Sequence, residues 1–283
     1  MLTFSRYDNV SLFKEEVYDF LIAHEVENNL ILGILQGLNE DSMPMLMANV
    51  RRNDELLIVF LQTHPAQIII SKSGEISDGE MKEIAEVLCD HVDSIPGLIG
   101  ERSVTMKLSR YITIKMGADC HIKMNQRLYK LSKVESPPSP DGILKKVTME
   151  KLPLITDWVL RFCMETGEAL NVEEAELTAK NIIDRGRLHA WQVAGEFVSI
   201  ANASRPTEHN ININFVYTPP EHRKKGYASS CVAALTTVML DKGFQTTSLY
   251  TDLDNPTSNK IYMNIGYKPI MDSVLLQISP PAV

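Results

Sequence analysis

Cysteine is scarce in this chain: Cys89, Cys120, Cys163 and Cys231 are the four among 283 residues. They lie far apart and form no C-x-x-C pair, so their spacing suggests neither a zinc ligand set nor a disulfide framework. All four are expected as reduced, mostly buried thiols. Long apolar runs are missing too. The densest, Leu56–Leu61, falls far short of the ~20 residues a membrane-spanning helix needs, so no membrane partner is expected. The N-terminus, Met1-Leu2-Thr3-Phe4-Ser5-Arg6, meets charge at once and lacks the apolar core of a signal peptide, which makes a cytoplasmic location the expectation. Positive charge is in deficit, with 28 Lys and Arg against 36 Asp and Glu and a net charge of −8. An extended phosphate backbone would be repelled over most of such a surface, which excludes nucleic acid as an expected partner.

What is present is ordinary: 44% hydrophobic and 23% charged residues, the balance of a folded globular protein. The length suits two domains, each able to bury a core. Glu135-Ser136-Pro137-Pro138-Ser139-Pro140-Asp141 concentrates three prolines among polar residues, a composition that enters neither a helix nor a central strand. It predicts a linker over 135–141 between domains at 1–134 and 142–283, the first being the more acidic.

In the first part, apolar spacing over Leu12–Leu35 predicts helix. Met45–Val50, Leu56–Gln62 and Gln67–Ser71 read as strands, Asp78–Val92 as helix and Ile122–Leu131 as strand. In the second part, Leu152–Glu165 and Val172–Arg185 predict helices. Ala190–Ala194, Phe197–Ala203 and Asn212–Tyr217 predict successive strands, so both parts read as α+β.

Chemistry concentrates in Val216-Tyr217-Thr218-Pro219-Pro220-Glu221-His222-Arg223-Lys224-Lys225-Gly226-Tyr227-Ala228, where a strand runs into a basic turn and then into the helical pattern Ser229–Lys242. Gly226 and the small Ala228 let backbone N–H groups approach a ligand closely. The helix start adds unpaired donors and the positive end of a dipole. With Arg223, Lys224 and Lys225 placed there in an otherwise acidic chain, the turn suits a pyrophosphate better than a single carboxylate. Taken alone, R-x-x-G-x-A is equally readable as a solvated turn. The second segment, Leu249–Tyr267, adds Asn255, Asn259 and Tyr262 at a fixed distance beyond it.

Together these segments resemble the GNAT superfamily of acyl-CoA N-acyltransferases, over about residues 142–280. Arg223–Ala228 matches its pyrophosphate loop, and Asn255–Tyr267 its next block. The resemblance implies acetyl-CoA as co-substrate, an amine acceptor and no metal. It places pantetheine contacts on Phe215, Val216, Tyr217 and Thr218, phosphate contacts on Arg223, Lys224, Lys225, Gly226, Tyr227, Ala228 and Ser229, and a further pantetheine contact on Asn255 or Asn259. Tyr262 stands where the family keeps a tyrosine beside the acetyl-CoA sulfur.

That chemistry needs two oriented substrates, loss of a proton from the amine, and a proton for the departing thiolate. The phenol of Tyr262 suits the last role, the alternative being a tyrosine that packs helix on sheet. No base declares itself. Alternation on Ile211–Tyr217 puts Ile211, Ile213, Phe215 and Tyr217 on one face and Asn212, Asn214 and Val216 on the other, with no carboxylate, so deprotonation is read as running through water. Glu165, Glu168 and Asp252 read first as solvated charges, His222 as a surface histidine and Cys231 as core.

Residues 1–134 lack R-x-x-G-x-A. Around Ile95–Glu101, where a second phosphate loop could fall, no basic cluster precedes the glycines. Their order of elements is similar to a worn GNAT copy, so the expected fold is α+β with two GNAT-like domains, each a mixed, mostly antiparallel sheet flanked by helices. The first would wall the acceptor cleft. The rival reading is a CoA-sensing or partner-binding protein without turnover. The acceptor could be a polyamine, an amino acid, an antibiotic amine or a protein amine.

Overall fold

Asn28 divides what the apolar spacing of 12–35 reads as one helix. In the computed structural model, which describes residues 1–137, 141–167 and 170–280, the stretch forms α1 (Val10–Ile22) and α2 (Asn29–Gly37). The buried Asn28 side chain donates to the Leu21 carbonyl (2.9 Å) and accepts from the Lys72 amide (2.7 Å), so a polar group ends one helix and ties the turn to a distant loop.

The first half runs β1 (Leu2–Arg6), α1, α2, β2 (Leu46–Arg52), β3 (Glu55–His64), β4 (Gln67–Ile70), α3 (Asp78–His91), β5 (Gly97–Glu101), α4 (Arg102–Met116) and β6 (Asp119–Leu131). The second runs β7 (Ile143–Lys146), α5 (Leu152–Thr166), α6 (Val172–Asp184), β8 (Leu188–Val193), β9 (Glu196–Ser204), β10 (Asn210–Tyr217), α7 (Tyr227–Asp241), β11 (Thr246–Asp252), α8 (Pro256–Ile265) and β12 (Lys268–Ser279). Apart from two single 3-10 turns, the same order of strands and helices occurs twice. This is the doubled α+β architecture that the sequence leads one to expect.

Two compact units result. The first comprises Met1–Tyr129, Tyr250–Pro256 and the segment from Pro269, and the second Lys130–Leu249 and Thr257–Lys268. In the first, strands run β1-β2-β3-β4-β5-β12-β6. β4 and β5 are parallel (Ile68↔Leu98, Ile69↔Ile99), and β12 lies antiparallel to β5 from Ser273↔Glu101 to Gln277↔Gly97. Both faces of β3 are covered: Ile58 and Phe60 pack with Met81, Ile84, Leu88, Leu108 and Ile112, whereas Val59 and Leu61 pack with Phe13, Val17, Leu21 and Leu32. Ile95–Glu101, where the sequence offers room for a second phosphate loop but no basic cluster, is largely β5. Its Gly97 is needed because a Cβ there would meet the Leu276 and Ala66 carbonyls at 2.5 and 2.7 Å.

In the second unit the strand order is β11-β10-β9-β8-β7. Ile155, Trp158 and Val159 of α5 and Ala175, Ala179 and Ile183 of α6 pack with Leu188, Ala190, Ile200 and Tyr217. Of the expected linker, Glu135 donates its amide to the Ile265 carbonyl (2.8 Å) and Ser136 its hydroxyl to the Asn264 carbonyl (2.7 Å); Pro138–Pro140 lie outside the described residues. No helix among the described residues is long and apolar enough to cross a membrane.

Candidate active site

β10 carries an irregularity that the sequence does not announce. It pairs antiparallel with β9 from Asn212↔Ser204 to Asn214↔Asn202, then resumes at Tyr217↔Ile200 with one residue extra, and Phe215 sits at φ 48°. Its parallel pairing with β11 covers Asn210–Asn212 against Thr246–Ser248. Val216, Tyr217 and Thr218 therefore lie beyond the stretch paired with β11, on backbone bent by the bulge. Phe215 and Tyr217 keep the shared face that alternation predicts: Phe162 of α5 stacks edge-on to both (4.9 and 6.3 Å), and Trp158 lies 5.9 Å from Tyr217. The Tyr217 hydroxyl is buried without a hydrogen-bond partner among the described residues, and burial pushes its pKa up.

From Thr218 the chain passes through a 3-10 turn (Pro220–His222) into Arg223, Lys224 and Lys225 and reaches α7 at Gly226. Lys224 (φ 61°) and Gly226 (φ 79°) are both left-handed, and a Cβ built on Gly226 would have nothing within 4 Å. Glycine is favoured there by the backbone, and the space beside it is open. Gly226 provides no side-chain cap, so the first-turn N–H groups of Tyr227, Ala228 and Ser229 form an uncovered positive helix end.

The corresponding connection of the first unit, between β4 and α3, is built the opposite way. Ser77 and Glu80 form a capping box, with the Ser77 amide donating to Glu80 (2.9 Å) and the Glu80 amide to Ser77 Oγ (3.3 Å). Hydrogen bonds from the Ser77 hydroxyl and amide, joined by Arg52, hold the Glu80 carboxyl down at about 2. A carboxylate thus already occupies that helix start. By element order this connection, 71–77, and not Ile95–Glu101, is the counterpart of the Arg223–Gly226 loop.

The three cations of the second unit's loop differ. Arg223 donates through Nη2 to both Glu165 oxygens (2.6 and 2.7 Å) and through Nε to the Thr218 carbonyl (2.8 Å), with its guanidinium 5.9 Å from the Tyr217 ring centre. Lys225 donates to the Glu221 carbonyl (3.3 Å). Lys224 is exposed and makes no hydrogen bond or ion pair among the described residues. Glu165, read from sequence first as a solvated charge, is instead an ion-pair partner of the loop, a relation that no local pattern signals. Glu168 lies outside the described residues. His222 Nε2 is 3.5 Å from Glu196. Cys231 is buried and donates weakly to the Ser199 carbonyl (3.9 Å), and burial pushes its thiol up to about 12, in keeping with core.

Two neighbouring tyrosines have different hydroxyls. Tyr267 meets Thr236 Oγ1 and Thr247 Oγ1 at 2.8 Å each, and burial pushes its pKa up to about 12. Tyr262 on α8 is 8% exposed, with its ring 6.2 Å from that of Tyr267. Its hydroxyl has no hydrogen-bond partner among the described residues, and burial raises its pKa above the usual tyrosine range. It is a phenol that stays protonated with its proton uncommitted. Asn255 lies in the turn where its amide donates to the Asp252 carbonyl (3.1 Å), and Asn259 lies on α8. Asp252 accepts from the Asp254 amide (2.9 Å). Among the described residues, no group of three or more His, Cys, Asp or Glu could hold a metal ion.

Residues 153–267 match the model of the acetyltransferase (GNAT) family. No curated protein matches the sequence. Solved structures share the fold across nearly the whole chain. An acetyltransferase of the GNAT family from Colwellia psychrerythraea is 10% identical over 98% of both chains, with a TM-score of 0.62. A GCN5-related N-acetyltransferase from Sphaerobacter thermophilus is 12% identical over 100% of this chain and 97% of its own, with a TM-score of 0.63. A tandem GNAT protein from the clavulanic acid biosynthesis pathway is 13% identical over 100% of both chains, with a TM-score of 0.58. At these identities the likeness is one of fold. Residues 153–267 are therefore a domain of the GNAT acetyltransferase family, in a chain with the fold of tandem GNAT proteins.

Proposed function

We propose that this chain is an acetyl-CoA-dependent N-acetyltransferase, with the donor site within residues 142–283 and a primary amine as acceptor. The observation that carries the reading is the uncapped start of α7 behind an open Gly226, set against the carboxylate-filled helix start of the first unit. In this reading 142–283 is the catalytic domain, and 1–134 is a degenerate copy that binds no donor. The donor's diphosphate lies on the N–H groups of Gly226, Tyr227, Ala228 and Ser229, with Lys224 and Lys225 adding charge. Val216, Tyr217 and Thr218 offer backbone to the pantetheine arm, and Asn255 or Asn259 adds an amide contact.

The amine attacks the thioester carbonyl carbon directly, so a C–N bond forms as the C–S bond breaks. Orientation of the two substrates supplies much of the acceleration. The Tyr262 hydroxyl donates to the sulfur as charge builds there, and the leaving thiolate takes up a proton. A phenol with a raised pKa is a weak acid against a thiol near ~8.5, so its contribution is greatest as a hydrogen bond to the developing anion. The strand β10 presents Asn214 and Val216 where a carboxylate base could stand, so the proton lost by the amine passes to water.

Calorimetric titration with acetyl-CoA tests the donor site. Wild type is expected to bind, Gly226→Glu to lose binding by at least about a hundredfold, and Gly226→Ala to lose far less, since alanine adds the same backbone strain without the anion. Equal losses in both variants would trace the effect to strain, and an unaffected Gly226→Glu would remove the diphosphate from this loop.

A further inference from the structure

Arg223 is the cation that the loop motif places first, yet its Nε and Nη2 are already committed within the protein. Both Glu165 oxygens, the Thr218 carbonyl and the face of Tyr217 surround the guanidinium. The neighbouring charges do not compete for it: Arg161 lies 3.9 Å from Glu221 and bonds Asp157 (2.9 Å), and Lys225 bonds the Glu221 carbonyl. To ligate a phosphate through Nε or Nη2, Arg223 would have to release Thr218 or Glu165, and the Glu165 carboxylate already balances its charge. Lys224, next in the chain, has no such commitment.

Resting on the donor site proposed above, we infer that Arg223 is a positioning residue rather than a phosphate ligand. Together with Glu165 it forms a strut that pins the Thr218 carbonyl and the loop entry to the last turn of α5, leaving Lys224 as the side chain that meets the diphosphate. Thr218 ends the stretch of backbone offered to the pantetheine arm, so the strut acts on the arm's seat, upstream of the phosphates. Glu165 and Arg223 are 58 residues apart, and at 2.6 Å the pair is closer than the 3.9 Å contact between Arg161 and Glu221 that also joins α5 to this loop. Guanidinium geometry favours this use, because a planar fork with several donors holds a carboxylate and a carbonyl at once.

The test compares acetyl-CoA with S-acetylpantetheine, a donor that keeps the thioester and the arm but has no diphosphate. Steady-state kinetics are measured on wild type, Arg223→Gln, Glu165→Gln, the double variant and Lys224→Gln. A strut predicts that Arg223→Gln and Glu165→Gln each lower kcat/KM by about tenfold with either donor, and that the double variant is no worse than one of them. Lys224→Gln should raise KM for acetyl-CoA by about tenfold, leave kcat alone, and have no effect with S-acetylpantetheine. The inference is overturned if the Arg223→Gln loss is confined to acetyl-CoA while Glu165→Gln matches or exceeds wild type, because that pattern belongs to a phosphate ligand released from a competitor.

Thermal melting of the same chains judges the strut independently of turnover. Non-additive shifts for the Glu165/Arg223 pair, on the scale of one or two degrees for a half-exposed ion pair, support it; strictly additive shifts overturn it. Absence of any acetyl-CoA binding by wild type would overturn the donor site itself, and the melting cycle would still decide the pairing.

Discussion

Replacing Tyr262 by phenylalanine is expected to lower turnover at saturating donor and amine by about a hundredfold or more, with acetyl-CoA affinity unchanged. The ring of Tyr262 is buried and its hydroxyl has no partner among the described residues, so phenylalanine refills the same volume and leaves no polar group orphaned. Stability should therefore hold while kcat falls, the signature of an interaction made in the transition state alone. Tyr267 is the built-in contrast, because its hydroxyl holds two threonines. Removing that hydroxyl disturbs the packing of the unit before it disturbs any chemistry. The raised pKa of Tyr262 adds a pH condition with a definite sign. A group held protonated beyond the usual ~10 of tyrosine causes no falling limb in kcat as pH rises through 8 and 9. Steady-state kinetics beside a thermal melt check all of this, and a Tyr262→Phe enzyme with full kcat would assign the residue to packing.

Gly97→Ala is expected to cost about 3 kcal/mol or more of stability, since inserting even one methyl into a filled site typically costs 1–3 kcal/mol and here backbone must move. The added Cβ would lie 2.5 Å from the Leu276 carbonyl and 2.7 Å from the Ala66 carbonyl, and neither oxygen belongs to a flexible side chain. Separating them means displacing β12, which pairs with β5 through Gln277↔Gly97. For a chain of this size such a loss lowers the melting temperature by roughly 6–12 °C. Differential scanning calorimetry reads it directly. An unchanged melting temperature would mean that β12 does not sit against Gly97.

The two predictions draw on parts of the molecule that the sequence reveals unequally. The strand, basic turn and helix at 216–242 are legible because the residue types that build them are local and chemically distinctive: a glycine that tolerates φ 79°, a cluster of cations, then an apolar helix. The helix α4 is not legible. Its buried face is Thr105, Leu108, Ser109 and Ile112, so half of it carries hydroxyls and the apolar period never forms. Strand β5 hides for a related reason, since glycines at 97 and 100 look like a loop until the strands on either side are placed.

Long-range partners are the other gap. Nothing near Lys268–Ser279 tells that it completes the sheet of the first unit, because register is set by side chains and carbonyls more than a hundred residues away. Asn28 is polar and unremarkable in sequence, yet its two hydrogen bonds break a helix and hold a loop. Glu165 is similar: an isolated carboxylate at a helix end reads as solvated until Arg223 is brought to it. At the basic turn the residue types are readable in the sequence and their bonding is not. The motif names three cations, and only geometry separates the one already bonded from the one still open.

Thiol release from acetyl-CoA, followed with the wild-type protein across a panel of polyamines, amino acids, amine antibiotics and lysine-bearing peptides, tests transfer to an amine most directly. The expected result is release that requires one class of amine, saturates with it, and yields the acetylated amine in equal amount. Donor binding accompanied by release no faster than in buffer for every amine would contradict transfer, and would leave a protein that holds acetyl-CoA without turning it over.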